Sequence, residues 1–270
     1  SRRRHTRYIS VTGVQTCALP IYSSCMKCAY YTVATDDFIP GVYCLAKSLR
    51  RVSKIPLYCI GLNVNKANKD KLATVGCKVI DTEYLGSKTS KYQSYRENPN
   101  FANNCFNKLH LWCQEFDKII YFDADIVVLK NVDHVFGYDM KFGACPTFQM
   151  GVNKDTGKIV SMSYNYGYFN SGVMVLKPSY ETYNALLVDK DIISTPHDPS
   201  DQGFLNHFFK DKWHRLSPIY NYTRRVFDVA PKNWQELKHE VCVLHFTLEK
   251  PWKKKEDTEI NKIWWEINDS

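Results

Sequence analysis

Apolar positions along the chain fall into short solid runs, separated by stretches in which they recur every third or fourth residue. This alternation predicts strands joined through helices into a mainly parallel sheet. Tyr30 to Ala34 reads as a strand, and Pro40 then opens a helix in which Val42, Leu45, Ala46 and Leu49 share one face. Leu57 to Gly61 is a second strand, Asn68 to Val75 a helix, and Lys78 to Asp81 a third strand. The polar, tyrosine-rich stretch from Ser87 to Asn100 reads as a loop. Phe106, Leu109, Cys113 and Phe116 mark a helix feeding the strongly apolar strand Lys118 to Phe122. Further strands are expected at Phe142 to Cys145, Gly172 to Leu176 and Val241 to Phe246, with helices capped by Ser179 and Ser200. Ile260, Ile263, Trp264 and Ile267 give the tail one apolar helical face that packs on the body. No repeat, Pro-rich linker or low-complexity stretch interrupts this pattern, so one domain is expected.

The first 25 residues stand outside it. Val11-Thr12-Gly13-Val14-Gln15-Thr16-Cys17-Ala18-Leu19-Pro20-Ile21 fits neither period and looks like the translation of a sequencing-library adapter. Residues 1–25 are therefore read as a non-native segment and 26–270 as the domain. Met26 is then a native start with no targeting segment, unless the adapter replaced an earlier N-terminus.

A chain that is 44% apolar and 24% charged is ordinary globular material, which excludes disorder and fibres. Its apolar runs stop at strand length, short of the roughly 20 residues that a membrane helix needs, so no membrane span is expected. Four positive charges of the net +8 are Arg2, Arg3, Arg4 and Arg7 in the segment set apart. The remaining excess is too mild for nucleic acid, and Lys253-Lys254-Lys255 is answered at once by Glu256 and Asp257. Cysteines such as Cys44 and Cys59 fall inside apolar patterns, as buried thiols do. Cys25 and Cys28 have zinc-knuckle spacing but no second pair. Cytoplasmic localisation is the expectation.

Asp123 and Asp125 follow the apolar strand at its carboxyl end, where parallel sheets place ligands, and alternation points both to one side. A lone Asp-x-Asp equally well caps a turn, but two like charges so close are best compensated by a hard divalent ion. Downstream, His245 ends the last strand and is followed by Lys250, Pro251 and Trp252. Two carboxylates and an imidazole suit manganese or magnesium, the nitrogen favouring manganese. A lysine nearby can neutralise phosphate oxygens.

Six blocks then occur in order from about Tyr30 to Trp252: Tyr31-Thr32-Val33-Ala34-Thr35-Asp36-Asp37-Phe38, Asn107-Lys108-Leu109-His110-Leu111-Trp112, Phe122-Asp123-Ala124-Asp125, Phe169-Asn170-Ser171-Gly172-Val173, Asp201-Gln202-Gly203-Phe204-Leu205-Asn206, and His245-Phe246-Thr247-Leu248-Glu249-Lys250-Pro251-Trp252. On these the chain resembles the family 8 retaining glycosyltransferases, the group that includes glycogenin, galactinol synthase and the plant xylan glucuronosyltransferases. The resemblance implies an α/β fold of GT-A type, a Rossmann-like three-layer sandwich around a mainly parallel mixed sheet. It implies metal-dependent transfer of a hexose from UDP-glucose or UDP-galactose to a glycan, cyclitol or protein acceptor, with a homodimer as an option. Mn2+ would be the cofactor, with Mg2+ as the substitute, held by Asp123, Asp125 and His245. Val33, Thr35, Asp36 and Phe38 would line the uracil and ribose pocket. Ala124, Leu248 and Lys250 would complete the UDP site with the metal ligands. Asn170, Ser171, Asp198, Asp201 and Gln202 would contact the donor sugar, with Lys108, Asp201 and Gln202 as the catalytic set.

Two positions depart from the family pattern. Aligning Ile219-Tyr220-Asn221 puts Phe227 and Asp228 where glycogenin carries its acceptor tyrosine, so self-glucosylation is not expected unless Tyr222 takes the sugar. Leu248 stands where many relatives place a glycine. A haloacid-dehalogenase phosphatase using Asp123 as nucleophile is a rival reading, but that family puts its motif on the first strand, and here three strands precede it. An inactive sugar-nucleotide binder is the third. Acceptor choice is expected in the loops Ser87 to Asn100 and Thr147 to Tyr168.

Overall fold

The computed structural model describes residues 26–88 and 101–270. Ala29, Tyr30, Tyr31 and Thr32 are consecutive and all buried, so the strand that contains them has cover on both faces and belongs in the middle of a sheet. This is β1 (Cys28–Ala34). Helix α1 (Ile39–Val52), with Pro40 in its first turn and Val42, Leu45, Ala46 and Leu49 buried, returns the chain to β2 (Leu57–Gly61). Helix α2 (Lys66–Thr74), capped by Asn65, leads to β3 (Cys77–Asp81). The chain then crosses to the other side of β1 through α3 (Phe101–Cys105) and a 3₁₀ helix over Phe106–Cys113, and forms β4 (Lys118–Phe122). After β5 (Ile126–Val128) come the long strands β6 (Phe142–Val152) and β7 (Ile159–Leu176). The remaining elements are α4 (Tyr180–Asp189), α5 (Asp201–Phe208), β8 (His214–Arg215), β9 (Tyr222–Thr223), α6 (Arg224–Val229), α7 (Pro231–Leu237), β10 (Val243–His245) and α8 (Glu259–Asp269).

The main sheet has seven strands in the order β3-β2-β1-β4-β7-β6-β8, parallel from β3 to β4 and antiparallel at β7. Strand alternation divides its side chains between two cores. Tyr30, Ile120 and Phe122 face the α1 side, while Tyr31, Ile119 and Tyr121 face the side of the 3₁₀ helix and α5. Layers on both faces make the three-layer α/β sandwich of GT-A type. A second sheet, β5-β10-β9, is packed by a third cluster in which Ile260, Trp264 and Ile267 of α8 meet Cys44 of α1. The tail thus covers the body, as its one-sided pattern predicted.

Two expectations need correcting, and two short strands were not expected. The helix expected around Phe106 to Phe116 is a 3₁₀ helix ending at Cys113, because Phe106, Leu109 and Trp112 repeat every third residue and Asn107 ties the turn to Leu85 through its side chain. The strands expected at Phe142 to Cys145 and Gly172 to Leu176 are the inner ends of one long hairpin. Its outer half escaped the pattern because Val152, Ile159 and Met162 are exposed and three register shifts break the alternation. Finally, β5 and β9 are too short to show a period. Among the described residues no helix is long and apolar enough to cross a membrane, and the cysteines are free thiols.

Candidate active site

The chain runs from β1 to β2 and β3 on one side and to β4 on the other, so the carboxyl ends of β1 and β4 flank a topological switch point, where a crevice opens. Thr35 and Asp36 leave β1 there, and Asp123 leaves β4, its backbone N–H donating to Gly172 O at 2.8 Å. Three residues later β5 begins. Its antiparallel pairing of Ile126 with His245, with the hydrogen bond from Phe246 N to Asp125 O at 2.9 Å, brings the imidazole beside the acids from 120 positions away in sequence.

Each acid divides its oxygens between two tasks. Asp123 Oδ1 accepts from Tyr121 OH at 2.6 Å and lies 3.0 Å from Lys108 Nζ, while Oδ2 lies 3.7 Å from His245 Nε2. Asp125 Oδ2 pairs with Lys250, and Oδ1 lies 3.1 Å from His245 Nε2. The three expected metal ligands therefore turn one donor atom each toward a common point, all within 4.8 Å of one another. Burial opposes charge on Asp125, but Lys250 outweighs it and holds its carboxyl well below the usual range. Burial and the neighbouring Asp123 keep the Tyr121 phenol protonated, as a permanent donor.

Lys108 joins this cluster to the next. Its ammonium lies 2.9 Å from Asp201 Oδ2, which also accepts from Ser171 Oγ at 2.8 Å. Burial favours neutral Lys108, yet Asp123 and Asp201 together raise its pKa above the ordinary lysine value. Asp201 gains less from the same pair, because burial and the repulsion of Asp123 offset Lys108 and leave its pKa raised. Asp201 and Gln202 open α5, which Ser200 caps as expected. Asp198 accepts from Tyr168 OH at 2.6 Å and from Gln202 Nε2 at 3.3 Å. A Cβ on Gly203 would lie 1.7 Å from Asp198 O, so only glycine lets this loop close on the helix.

A cavity of about 500 Å³ adjoins the end of β1, lined by Thr35, Asp36, Asp37, Leu62, Asn63, Tyr84 and Asn104. Thr35 and Asp36 thus stand where the UDP pocket was expected, although the Asp36 carboxylate is engaged by Asn65 and Asn68. Val33 and Phe38 are not lining residues. Val33 packs into the core, and Phe38 lies edge-on against Trp252. Tyr222 is 1% exposed and packed on Trp234, which withdraws it as a sugar acceptor. Asn221, which opens the sequon-like triplet Asn221-Tyr222-Thr223, is 2% exposed and so is closed to glycosylation in the folded chain. Most of the loop Ser87 to Asn100 lies outside the described residues. Pattern reading gave no role to Tyr121, Tyr168 or Asn221. The first reads as core, and the others meet their partners, Asp198 for Tyr168 and Asn170 and His245 for Asn221, only through long-range folding.

Leu248 adopts φ 68° while 55% exposed. A branched side chain pays for this left-handed backbone, which glycine would adopt without that strain. Leu248→Gly is expected to raise stability by up to about 1 kcal/mol, seen as a rise of a few degrees in Tm, without loss of nucleotide binding.

The sequence model described as Glycosyl transferase family 8 matches residues 30–256. Galactinol synthase 3 of Arabidopsis thaliana is 30% identical over 278 residues, covering 89% of this chain and 81% of that protein. Glycogenin of Neurospora crassa is 31% identical over 222 residues, covering 80% of this chain and 30% of that protein. Among solved structures, an active-site mutant of LgtC superposes with a TM-score of 0.64 at 18% identity, covering 88% of this chain and 94% of that one.

Proposed function

The chain belongs to glycosyl transferase family 8, and from that premise we propose that it transfers a hexose with retention from UDP-glucose or UDP-galactose to an acceptor hydroxyl. The observation that carries this reading is the convergence of Asp123 Oδ2, Asp125 Oδ1 and His245 Nε2 at the sheet's switch point, with Lys108 and Lys250 behind them. The donor set fits a divalent cation. His245 Nε2 faces two carboxylate oxygens, and the opposite acid oxygens are already occupied by lysines and a tyrosine, so one positive charge is wanted between the three. Mn2+ suits this mixed nitrogen and oxygen set, and when bound it would neutralise charge gathering on the departing diphosphate.

The chain's own residues supply the rest. Thr35 and Asp36 would line the nucleotide cavity, while Lys250 is placed to exchange its carboxylate for phosphate oxygens. Asp201, with Oδ2 held by Lys108 and Ser171, is better suited to orienting the sugar than to attacking it. That favours attack by the acceptor on the face the diphosphate leaves. The β6–β7 hairpin offers acceptor contacts, and glycan, cyclitol and protein hydroxyls all fit this chemistry.

Purified protein incubated with Mn2+ and UDP-glucose or UDP-galactose should release UDP and no inorganic phosphate from phosphate esters. Phosphate release would instead support the phosphatase, and UDP-sugar binding without turnover the inactive binder. Intact mass should stay constant, since Asp228 replaces the acceptor tyrosine and Tyr222 is buried.

A further inference from the structure

Behind the expected metal ligands runs a hydrogen-bond chain whose direction is set by two backbone amides. Gly172 N–H donates to Asn170 Oδ1 at 2.9 Å, and Ser171 N–H donates to Gln202 Oε1 at 3.2 Å. A backbone N–H can only donate, so both receiving atoms are oxygens. Asn170 Nδ2, facing Gln202 Oε1 at 3.1 Å, must then be its amide nitrogen, which fixes the Asn170 orientation from both ends. Asn221 turns Nδ2 to Asn170 Oδ1 at 2.8 Å, and its remaining oxygen lies 2.9 Å from His245 Nδ1. Nδ1 must carry a hydrogen to meet that oxygen. Asn221 and His245 are 2% and 3% exposed, so water does not offer an easy alternative partner. Gly172 also makes room for the ring, since a Cβ there would lie 2.3 Å from His245 Cε1.

We propose that Asn221, itself oriented by Asn170, is the positioning residue that fixes His245 as the Nδ1–H tautomer and so presents the Nε2 lone pair to a divalent cation shared with Asp123 and Asp125. The inference rests on the metal reading of that cluster. A neutral ring in this tautomer aims a lone pair at Asp125 Oδ1, 3.1 Å away, an arrangement that a cation between them relieves. Partners of this kind typically change metal affinity by about 10–100-fold.

The test begins on metal-free wild-type protein with 15N-labelled histidine. Long-range 1H–15N spectra recorded with the ring neutral should show His245, assigned by its loss in His245→Gln, with its proton on Nδ1. A proton on Nε2 overturns the proposal. Mn2+ titration by calorimetry should then show Asn221→Leu weakened about 10–100-fold. Equal affinity in Asn221→Leu also overturns it. Thermal unfolding of the metal-free variants checks that they are folded, and should Asn221→Leu not fold, the wild-type spectrum decides alone. If the wild type binds no Mn2+ at all, the metal reading fails, whereas the tautomer still judges the relay.

Discussion

Asp125→Asn is expected to reduce Mn2+-dependent UDP release by about 10²–10³-fold and at the same time to destabilise the protein by about 3–5 kcal/mol. Both effects follow from one carboxylate with two tasks. Oδ1 is turned to the cation point and Oδ2 neutralises Lys250, whose ammonium is buried and has Phe246 O as its other partner at 2.9 Å. An asparagine of the same size leaves that buried ammonium without a counter-charge. Asp123→Asn separates the two effects. Its carboxylate is 27% exposed and Lys108 retains Asp201, so turnover should fall comparably while the stability loss is much smaller. Because the Asp125 carboxyl is held below its ordinary value, its stabilising contribution is present above about pH 4 and is lost only as pH falls further. Melting curves of Asp125→Asn and wild type should therefore differ fully at pH 7 and draw together in acid. Turnover that survives in Asp125→Asn, with UDP-sugar and Mn2+ saturating, would end the metal-centre reading.

How much of this site could be read from residues alone depended on whether local pattern or long-range pairing set the position. Strands Leu57–Gly61 and Lys118–Phe122 match expectation because strands buried on both faces appear as unbroken apolar runs. Asp123 and Asp125 were legible for the same reason: they punctuate such a run where a parallel sheet ends. The caps Ser179 and Ser200 work through local hydrogen bonds and were equally readable. Asn221 was not, since its neighbours suggest only a sequon and its meaning arises when β9 lies parallel to β10 and its side chain reaches Asn170 and His245. Tyr121 was hidden by its own hydrophobicity, because one hydroxyl at the rim of a core strand leaves no mark on apolar periodicity. Phe38 and Val33 of the first motif block are half-buried, Phe38 edge-on against Trp252 and Val33 against the core.

Lys108→Met should produce the second large effect, and a double variant tells its two causes apart. The ammonium lies between Asp123 and Asp201 at 3.0 and 2.9 Å, with Asp201 3% exposed, so removing it leaves two facing acids, one of them buried. A stability loss of about 3–5 kcal/mol is expected, together with at least about 100-fold slower UDP release. Adding Asp201→Asn to Lys108→Met removes the orphaned charge and should restore most of the stability, since the two residues interact directly and their effects are not additive. If Lys108 also stabilises charge developing on the donor, turnover in the double variant stays low although the fold recovers. Recovery of turnover along with stability would reduce Lys108 to a counter-ion for Asp201. The comparison is sharpened by Tyr121, which continues to donate to Asp123 Oδ1 in every one of these variants and so keeps the first metal ligand oriented while the lysine is removed.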